Sequence, residues 1–588
     1  MRASVFLATL ILVLSAPAGA ETLVRLESPD LQDLQAVGIE LPRGAEIRVN
    51  AVGLREAGIQ IWPFRSDDDD GDDDWMRAFA WILDAETRRP VWRLSSRESS
   101  RVSGHVREGG DTRHLDAGRY EVYYYAGYGW ATERDLDTER VGFWESLFSD
   151  RRDLDDIRDD LADCYVTVES PDLRRSDVSF FEVDGSLPDA LLQLNRAGSS
   201  VFMKKGFALD RPAGLRVYAN IELADRDDYP ADYGWIVRAE TREVVWQPRR
   251  SSGRFGGGGE KNRRVDDEIE LEAGRYIVYF GTDDTHAFPE FNVGPPHDPF
   301  NWGISLLPGE GFVAGSLTTF DAVDPEPLLA LDETGDDANR QQAFVLKRAG
   351  KLRVHSLGEY IDREKLFVDQ GWIVNADSGD TVWSMTGRNT IGAGGDDKNR
   401  MFDGVVDLDA GAYVVYYATD GSHAYRGFNR ATPFEPAAWG VTLRPGPGFD
   451  RGDFELLDEA ALEKRGGYLV RLVGVGDDER VRQEFTLDRP MSVRIRAVGE
   501  GTRGSMHDYG FIVEAETDRV VWEMHYGDTS HAGGDPKNRE SREEIRLEAG
   551  SYRAIYVTDG SHAFGDWNAA APRDPLAWGI TIRPSSDL

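Results

Sequence analysis

Four tandem antiparallel β-sandwich modules, all-β and of about eight strands each, are predicted by three observations. Short apolar runs alternate with polar residues at a period of two, as in Glu46-Ile47-Arg48-Val49 and Val493-Arg494-Ile495-Arg496. That period marks strands with one buried face. The same order of runs and turns is written four times, the signature of a repeat array. No strongly periodic helix interrupts it, and strands with one apolar face bury it best by stacking two sheets.

The elements follow in order. Each module opens with a short apolar strand ending at Leu26, Leu194, Leu331 or Leu472, and a second strand ends fifteen residues later at Leu41, Leu209, Leu346 or Leu487. The alternating third strand comes next. Trp81-Ile82-Leu83, Trp235-Ile236-Val237, Trp372-Ile373-Val374 and Phe511-Ile512-Val513 begin a hairpin that reaches a second Trp eleven residues on, at Trp92, Trp246, Trp383 and Trp522. A Gly-rich loop leads to two strands read as a pair turned by Leu-x-Ala-Gly (Leu115 to Gly118, Leu271 to Gly274, Leu408 to Gly411, Leu547 to Gly550). A long loop and a closing Trp-Gly-Ile-Thr type strand finish the module. The expected extents are 21–170, 178–309, 318–446 and 454–588, with Gly311-Phe312 and Gly448-Phe449 in the linkers. On the strand pattern and Leu-x-Ala-Gly-x-Tyr, the general type resembles the accessory β-sandwich modules of bacterial exported proteins.

The first module diverges. It carries an acidic run, Asp67 to Asp70 and Asp72 to Asp74, and a charged stretch, Glu139 to Asp163, read as a short helical insertion around Phe143 to Phe148. Cys164 falls where the other modules place Trp, and the expectation is a buried, inert thiol.

Residues 1–20 read as a signal peptide, with Arg2, an apolar Val5 to Leu14 core and an Ala18-Gly19-Ala20 cleavage site. The expected location is secreted or periplasmic. No later stretch reaches the roughly 18 apolar residues of a membrane span. A single cysteine excludes an intramolecular disulfide framework, so burial alone must hold each module. A net charge of −37 argues against nucleic acid and anionic membrane as partners. It fits solubility by mutual repulsion, with divalent-cation binding as the sharper alternative.

The chemistry-bearing pattern is the long loop. Thr282-Asp283-Asp284-Thr285-His286, Thr419-Asp420-Gly421-Ser422-His423 and Thr558-Asp559-Gly560-Ser561-His562 share one register. In each, Asp to His is three residues, His to Asn (Asn292, Asn429, Asn568) six, and Asn to Trp (Trp302, Trp439, Trp578) ten. The Gly-rich loop adds Lys261-Asn262, Lys398-Asn399 and Lys537-Asn538. The chain has nine Lys against 59 Arg, so three Lys at one repeated place indicate a demand for a compact ammonium. Candidate ligand-binding residues are therefore Lys261, Asn262, Asp283, His286 and Asn292, then Lys398, Asn399, Asp420, His423 and Asn429, then Lys537, Asn538, Asp559, His562 and Asn568.

Three functions are open to them. Asp, Asn and aromatic rings suit a sugar, and three copies would add avidity for an extracellular polymer or surface component. Alternatively the loop only stabilises the fold of a structural spacer, the His held by the Asp as a staple and the amides satisfying loop backbone. The third reading is a hydrolase using Asp559 and His562. No Gly-x-Ser-x-Gly elbow, His-Glu-x-x-His or Walker loop appears, so a non-enzymatic binding or surface-interaction protein without catalytic residues or cofactor is preferred. Asp-x-x-His with a distant Asn offers too few ligands for zinc, with no Cys to add, and calcium is the ion left open. Asp67, Asp68, Asp70 and Asp72 are its weak candidates, without the register of an EF-hand.

Overall fold

A computed structural model of the chain describes residues 20–585, apart from 28, 32, 56–75, 128–158, 224–229, 250–252, 459–460, 463–464 and 466. Residues 1–19 of the expected signal peptide, the Asp67 to Asp74 run and the Phe143 to Phe148 stretch lie outside the described residues. A helical turn at 159–162 immediately precedes the closing strand of the first module.

The described chain is all-β, and its strands fall into four repeated sets. In the second set, one sheet holds Leu192–Leu194, Gly303–Pro308, Ala213–Leu223, Asn262–Leu271 and Arg254–Phe255. The other holds Val244–Trp246, Pro230–Arg238, Gly274–Gly281, Phe202–Leu209 and Leu317–Phe320. The two are joined at one corner by the pairs Glu222↔Asp232 and Leu223↔Pro230 across a bulge. The first set repeats this corner with Leu54↔Ala78 and Arg55↔Met76. The third and fourth sets have separate sheets, of six and five strands and of six and four.

The period-two reading explains the core. In the third strand Ile47, Val49 and Ala51 are buried, as are Leu215, Val217 and Ala219 at the matching places of the second module. The predicted hairpin forms, pairing Ile82 with Trp92, Ile236 with Trp246, Ile373 with Trp383 and Ile512 with Trp522.

The Leu-x-Ala-Gly segment corrects the sequence reading. Asn262–Leu271 pairs with Ala213–Leu223, whereas Gly274–Gly281 pairs with Phe202–Leu209 and Pro230–Arg238 in the opposite sheet. The segment is a crossover between sheets, not a hairpin turn. A tyrosine locks it, since Tyr120, Tyr276, Tyr413 and Tyr552 each donate a hydroxyl hydrogen bond to the carbonyl four residues earlier, on Asp116, Glu272, Asp409 and Glu548. Antiparallel strands in stacked sheets still start and finish at the same end. The Gly-rich loop and the His loop therefore meet, for a reason different from the one the sequence suggested.

The chain divides into two compact units. The first comprises Met1–Val323 with Gly392–Asn399 and Arg430–Pro436, and the second comprises Asp324–Ile391, Arg400–Asn429 and Ala437–Leu588. Within the first, Trp81 stacks on Tyr123 with centroids 4.9 Å apart and its Nε1 donates to the His297 carbonyl at 2.7 Å. Trp235 stacks on Tyr279 at 5.0 Å, receives the Phe434 ring at 5.8 Å, and neighbouring Tyr233 donates to the Gly392 carbonyl. Within the second, Trp372 stacks on Tyr416 at 5.3 Å and its Nε1 donates to the Arg573 carbonyl. His297, Phe434 and Arg573 all follow a Pro, five residues after the loop Asn. One device therefore recurs, an aromatic pair on one module that receives the end of the next module's His loop.

Candidate functional site

The three His rings are sealed. His286, His423 and His562 are 0–1 % exposed. Each lies edge-on between two aromatic rings: Phe291 and Trp302, Phe428 and Trp439, Trp567 and Trp578. Each His also takes a positive φ, from 44° to 61°, a conformation that only surrounding structure holds in a non-glycine residue.

Amides, not the Asp, hold the imidazoles. His286 Nε2 lies 2.5 Å from Asn262 Oδ1, and its Nδ1 lies 2.7 Å from the Asn292 amide. His423 Nδ1 sits 2.9 Å from the Asn429 amide, and His562 Nε2 is 2.7 Å from Asn538 Oδ1. Asn262 spends both amino hydrogens on the carbonyls of Gly257 and Gly294, at 2.7 and 2.8 Å. Asn399 does the same with Gly394 and Ala431, and Asn538 with Gly533 and Ala570. This orients the amide oxygen of Asn262 and of Asn538 at its ring, an acceptor that a neutral imidazole meets with its proton on Nε2; for His286 that tautomer requires the Asn292 amide to turn its NH2 toward Nδ1. The Asn thus ties the Gly-rich loop, the His loop and the imidazole at one point.

The loop Asp has another task. Asp283, Asp420 and Asp559 accept the backbone N–H two residues on, at Thr285, Ser422 and Ser561, in Asx turns. The sequence expectation of a His held by the Asp is replaced by this arrangement.

The reason for Lys is charge compensation. Lys261 Nζ lies 3.0 Å from Glu222 Oε1, and Lys537 Nζ lies 3.0 Å from Glu500 Oε1. Both Glu side chains are under one-tenth exposed. An ammonium on a straight stem reaches this place, whereas a planar guanidinium would need more room and more acceptors. In the fourth module Lys537 also donates to Asn568 Oδ1.

Sequence reasoning missed the other half of this cluster. Asp232, Asp369 and Asp508 are fully buried. Each accepts the backbone N–H of the loop Asp (2.8, 2.9 and 2.8 Å) and the indole N–H of the closing Trp (3.0, 2.8 and 3.2 Å). The signal was present as Asp-x-Gly-Trp/Phe-Ile-Val in modules two to four, with Ala78 in its place in the first. Glu222, Asp232 and Asp283 bring carboxylate oxygens within 4.8 Å of one another, as do Glu359, Asp369 and Asp420, and Glu500, Asp508 and Asp559. Among the described residues these are the sets whose spacing could hold a cation. In the second and fourth modules the lysine already supplies a positive charge.

The first module is an internal control. Register places Leu54 opposite Ala78, as Glu222 stands opposite Asp232. By the same register His105, Val106, Gly127 and Cys164 stand where Lys261, Asn262, Asp283 and Trp302 stand. Carboxylates, ammonium, amide and indole donor are lost together, which is how a single interacting network behaves. Cys164 is buried, and burial pushes its thiol up to about 11.

Burial also sets the protonation of the cluster. It raises Asp369 to about 8 and Asp508 to about 7, and raises Asp232 with help from Glu222 and Asp283. It depresses His562 to about 4 and holds His286 well down, the neighbouring lysine adding to both. A carboxylate whose pKa is raised on folding favours the fold below its unfolded value of about 3.9, and that contribution is lost as pH rises through the folded value. A depressed His favours the fold above about 6.5 and the contribution is lost as pH falls through the folded value. Between pH 8.5 and 6.5 only the carboxylates act. The melting temperature of the full chain should therefore rise on acidification across that window, and Asp369→Asn with Asp508→Asn should flatten the rise. A melting temperature that falls over the same window would contradict this assignment.

Comparisons with known proteins add little. No protein family and no curated protein matches the chain. The chain has a slight likeness to the solved structure of the CBM32-1, CBM32-2 and M60 catalytic domains of Clostridium perfringens ZmpB, at 8 % identity and a TM-score of 0.13. That match covers 69 % of this chain and spans 55 % of the other's length. Another is the lipid-containing bacteriophage PM2, at 11 % identity and a TM-score of 0.09, covering 66 % of this chain and 100 % of that one. Likeness at these scores carries no argument. Among the described residues no helix is long and apolar enough to cross a membrane, which says nothing about β-barrels.

Proposed function

We propose that this is an exported, non-enzymatic repeat protein whose modules form a spacer or surface-interaction array. In this reading the His loops serve as internal braces that shape each module's docking onto the one before. The observation that carries it is the continuity of brace and joint. The His pins the loop from within, and the segment that follows the loop Asn carries His297, Phe434 or Arg573 to the aromatic pair of the preceding module. Imidazoles held by amides and sealed from solvent, with burial keeping His286 and His562 neutral, favour this role over a hydrolytic Asp-His pair. Loss of Asn538, which ties the two loops and His562, should loosen the joint at Trp372 without touching it. In the full chain carrying Asn538→Ala, deuterium uptake at residues 366–385 should rise well above wild type. Unchanged uptake there, with the change confined to residues 530–570, would separate brace from joint and refute the reading.

A specific observation supports polymer binding as a second role, at a joint and not at the His rings. Within the second unit a cleft of about 340 Å³ is lined by Arg496, Arg542, Arg573, His531, Glu540 and Asp574. Arg496 is paired there with Glu540 and Asp574, and Arg542 with Glu540 and Asp380, so the exposed Arg573 is the guanidinium best placed to meet sugar hydroxyls. Polysaccharide binding that Arg573→Ala abolishes and His562→Asn spares would establish this role.

A further inference from the structure

After the closing strand of each of the first three modules, the chain adds one more strand to the edge of that module's second sheet. Ser179–Phe181 pairs with Asp33–Leu41, Leu317–Phe320 with Phe202–Leu209, and Phe454–Leu457 with Asn339–Leu346. The matching strand of the fourth module, Arg480–Leu487, is the outer strand of its four-stranded sheet, and no strand among the described residues pairs with its outer side.

The three occupied edges show what such an edge selects. Three residues before the shared terminal Leu stands Gly38, Gly206, Ala343 or Glu484. Its cross-strand partners are Phe181, Phe320 and Leu457 in the first three modules. A Cβ added at Gly38 or Gly206 would come within 2.2 Å of the docked Phe ring. On its other face that ring meets a guanidinium, Arg119 at 3.9 Å from Phe181 and Arg275 at 4.3 Å from Phe320. The residue after the Gly that starts the Tyr-rich strand is thus Arg119 or Arg275 where a Phe docks, Ala412 where the docked residue is Leu457, and Ser551 in the fourth module. Acceptor pair and docked side chain change together: Gly with Arg takes Phe, Ala with Ala takes Leu.

We infer that this residue pair determines which strand a module accepts, and that Glu484 with Ser551 closes the fourth module to the aromatic strands its siblings bind. The Glu484 Cβ occupies the space of the ring. Its exposed carboxylate meets Arg553 at 3.2 Å, which also meets Asp518. Arg480 and Arg482 place further charge along the same edge, a device by which sheets resist strand addition. Backbone groups of the edge stay hydrated, and copies of the chain do not add end to end through it.

The test uses the full chain and a fluorescent peptide of residues 314–323, which contains the Leu317–Phe320 strand. Anisotropy titration should show at least about tenfold tighter binding, about 1.4 kcal/mol, to the Glu484→Gly/Ser551→Arg variant than to wild type. The gain should vanish when the peptide carries Phe320→Ala. Glu484→Gln removes the charge but keeps the Cβ, and should remain closed. The inference is overturned if wild type binds as tightly as the double variant, if the double variant gains nothing, or if Glu484→Gln opens the edge as far.

Discussion

Replacing Lys537 with Met is expected to destabilise the fourth module by about 3–5 kcal/mol, because it leaves the buried Glu500 without its counter-charge. The effect is read in the full chain as loss of amide protection across Tyr552 to Val557. Its size comes from the burial of the survivor. A carboxylate out of water without a partner keeps its desolvation penalty and recovers nothing. The first module shows the way back. It holds Leu54 and Ala78 at the corresponding corner, so Glu500→Leu and Asp508→Ala added to Lys537→Met should recover most of the loss. Full recovery also needs Trp578→Cys, since the indole N–H otherwise loses its Asp508 acceptor, at about 1–3 kcal/mol. A cost below about 1 kcal/mol for Lys537→Met would mean that the ammonium is not the compensating charge.

His562→Ala should cost about 3 kcal/mol. It empties a sealed site between Trp567 and Trp578 and leaves Asn538 Oδ1 without a donor. Asp559→Asn should cost less than about 1 kcal/mol, since that side chain is half exposed and its described hydrogen bonds are those of an Asx turn, which Asn also makes. Chemical denaturation of full-length variants, followed by exchange at residues 554–582, compares them directly. A structural brace predicts this asymmetry. A catalytic Asp-His pair predicts that the two substitutions abolish an activity together while stability changes little. Equal and large stability losses would show that the Asp carries more of the loop than its turn.

Several features were legible from residue order because they depend on local rules. Alternation at a period of two reports which side of a strand is buried, and in the first two modules it placed Ile47, Val49, Val217 and Ala219 in the core. The equal spacing of three loops singled out Asp, His, Asn and Lys as residues of one repeated place. The rarity of Lys indicated that a compact ammonium mattered. Leu-x-Ala-Gly-x-Tyr marked a fixed turn, although hairpin and crossover leave the same trace when neighbouring strands can pair with either of two sheets.

What the tertiary structure alone decided is which groups face one another. Asp508 lies 51 residues from Asp559 and 70 from Trp578, and no local period couples them. The corner between the stacked sheets brings Glu500, Asp508 and Lys537 together and removes water from them. Burial then turns a charged set that reads as a ligand site into an internal ion cluster, and turns a histidine that reads as a base into a neutral brace. Residue types set what each group can do. Long-range pairing and exclusion of water decide which of those things it does, because both depend on neighbours that the chain brings in from far along its length.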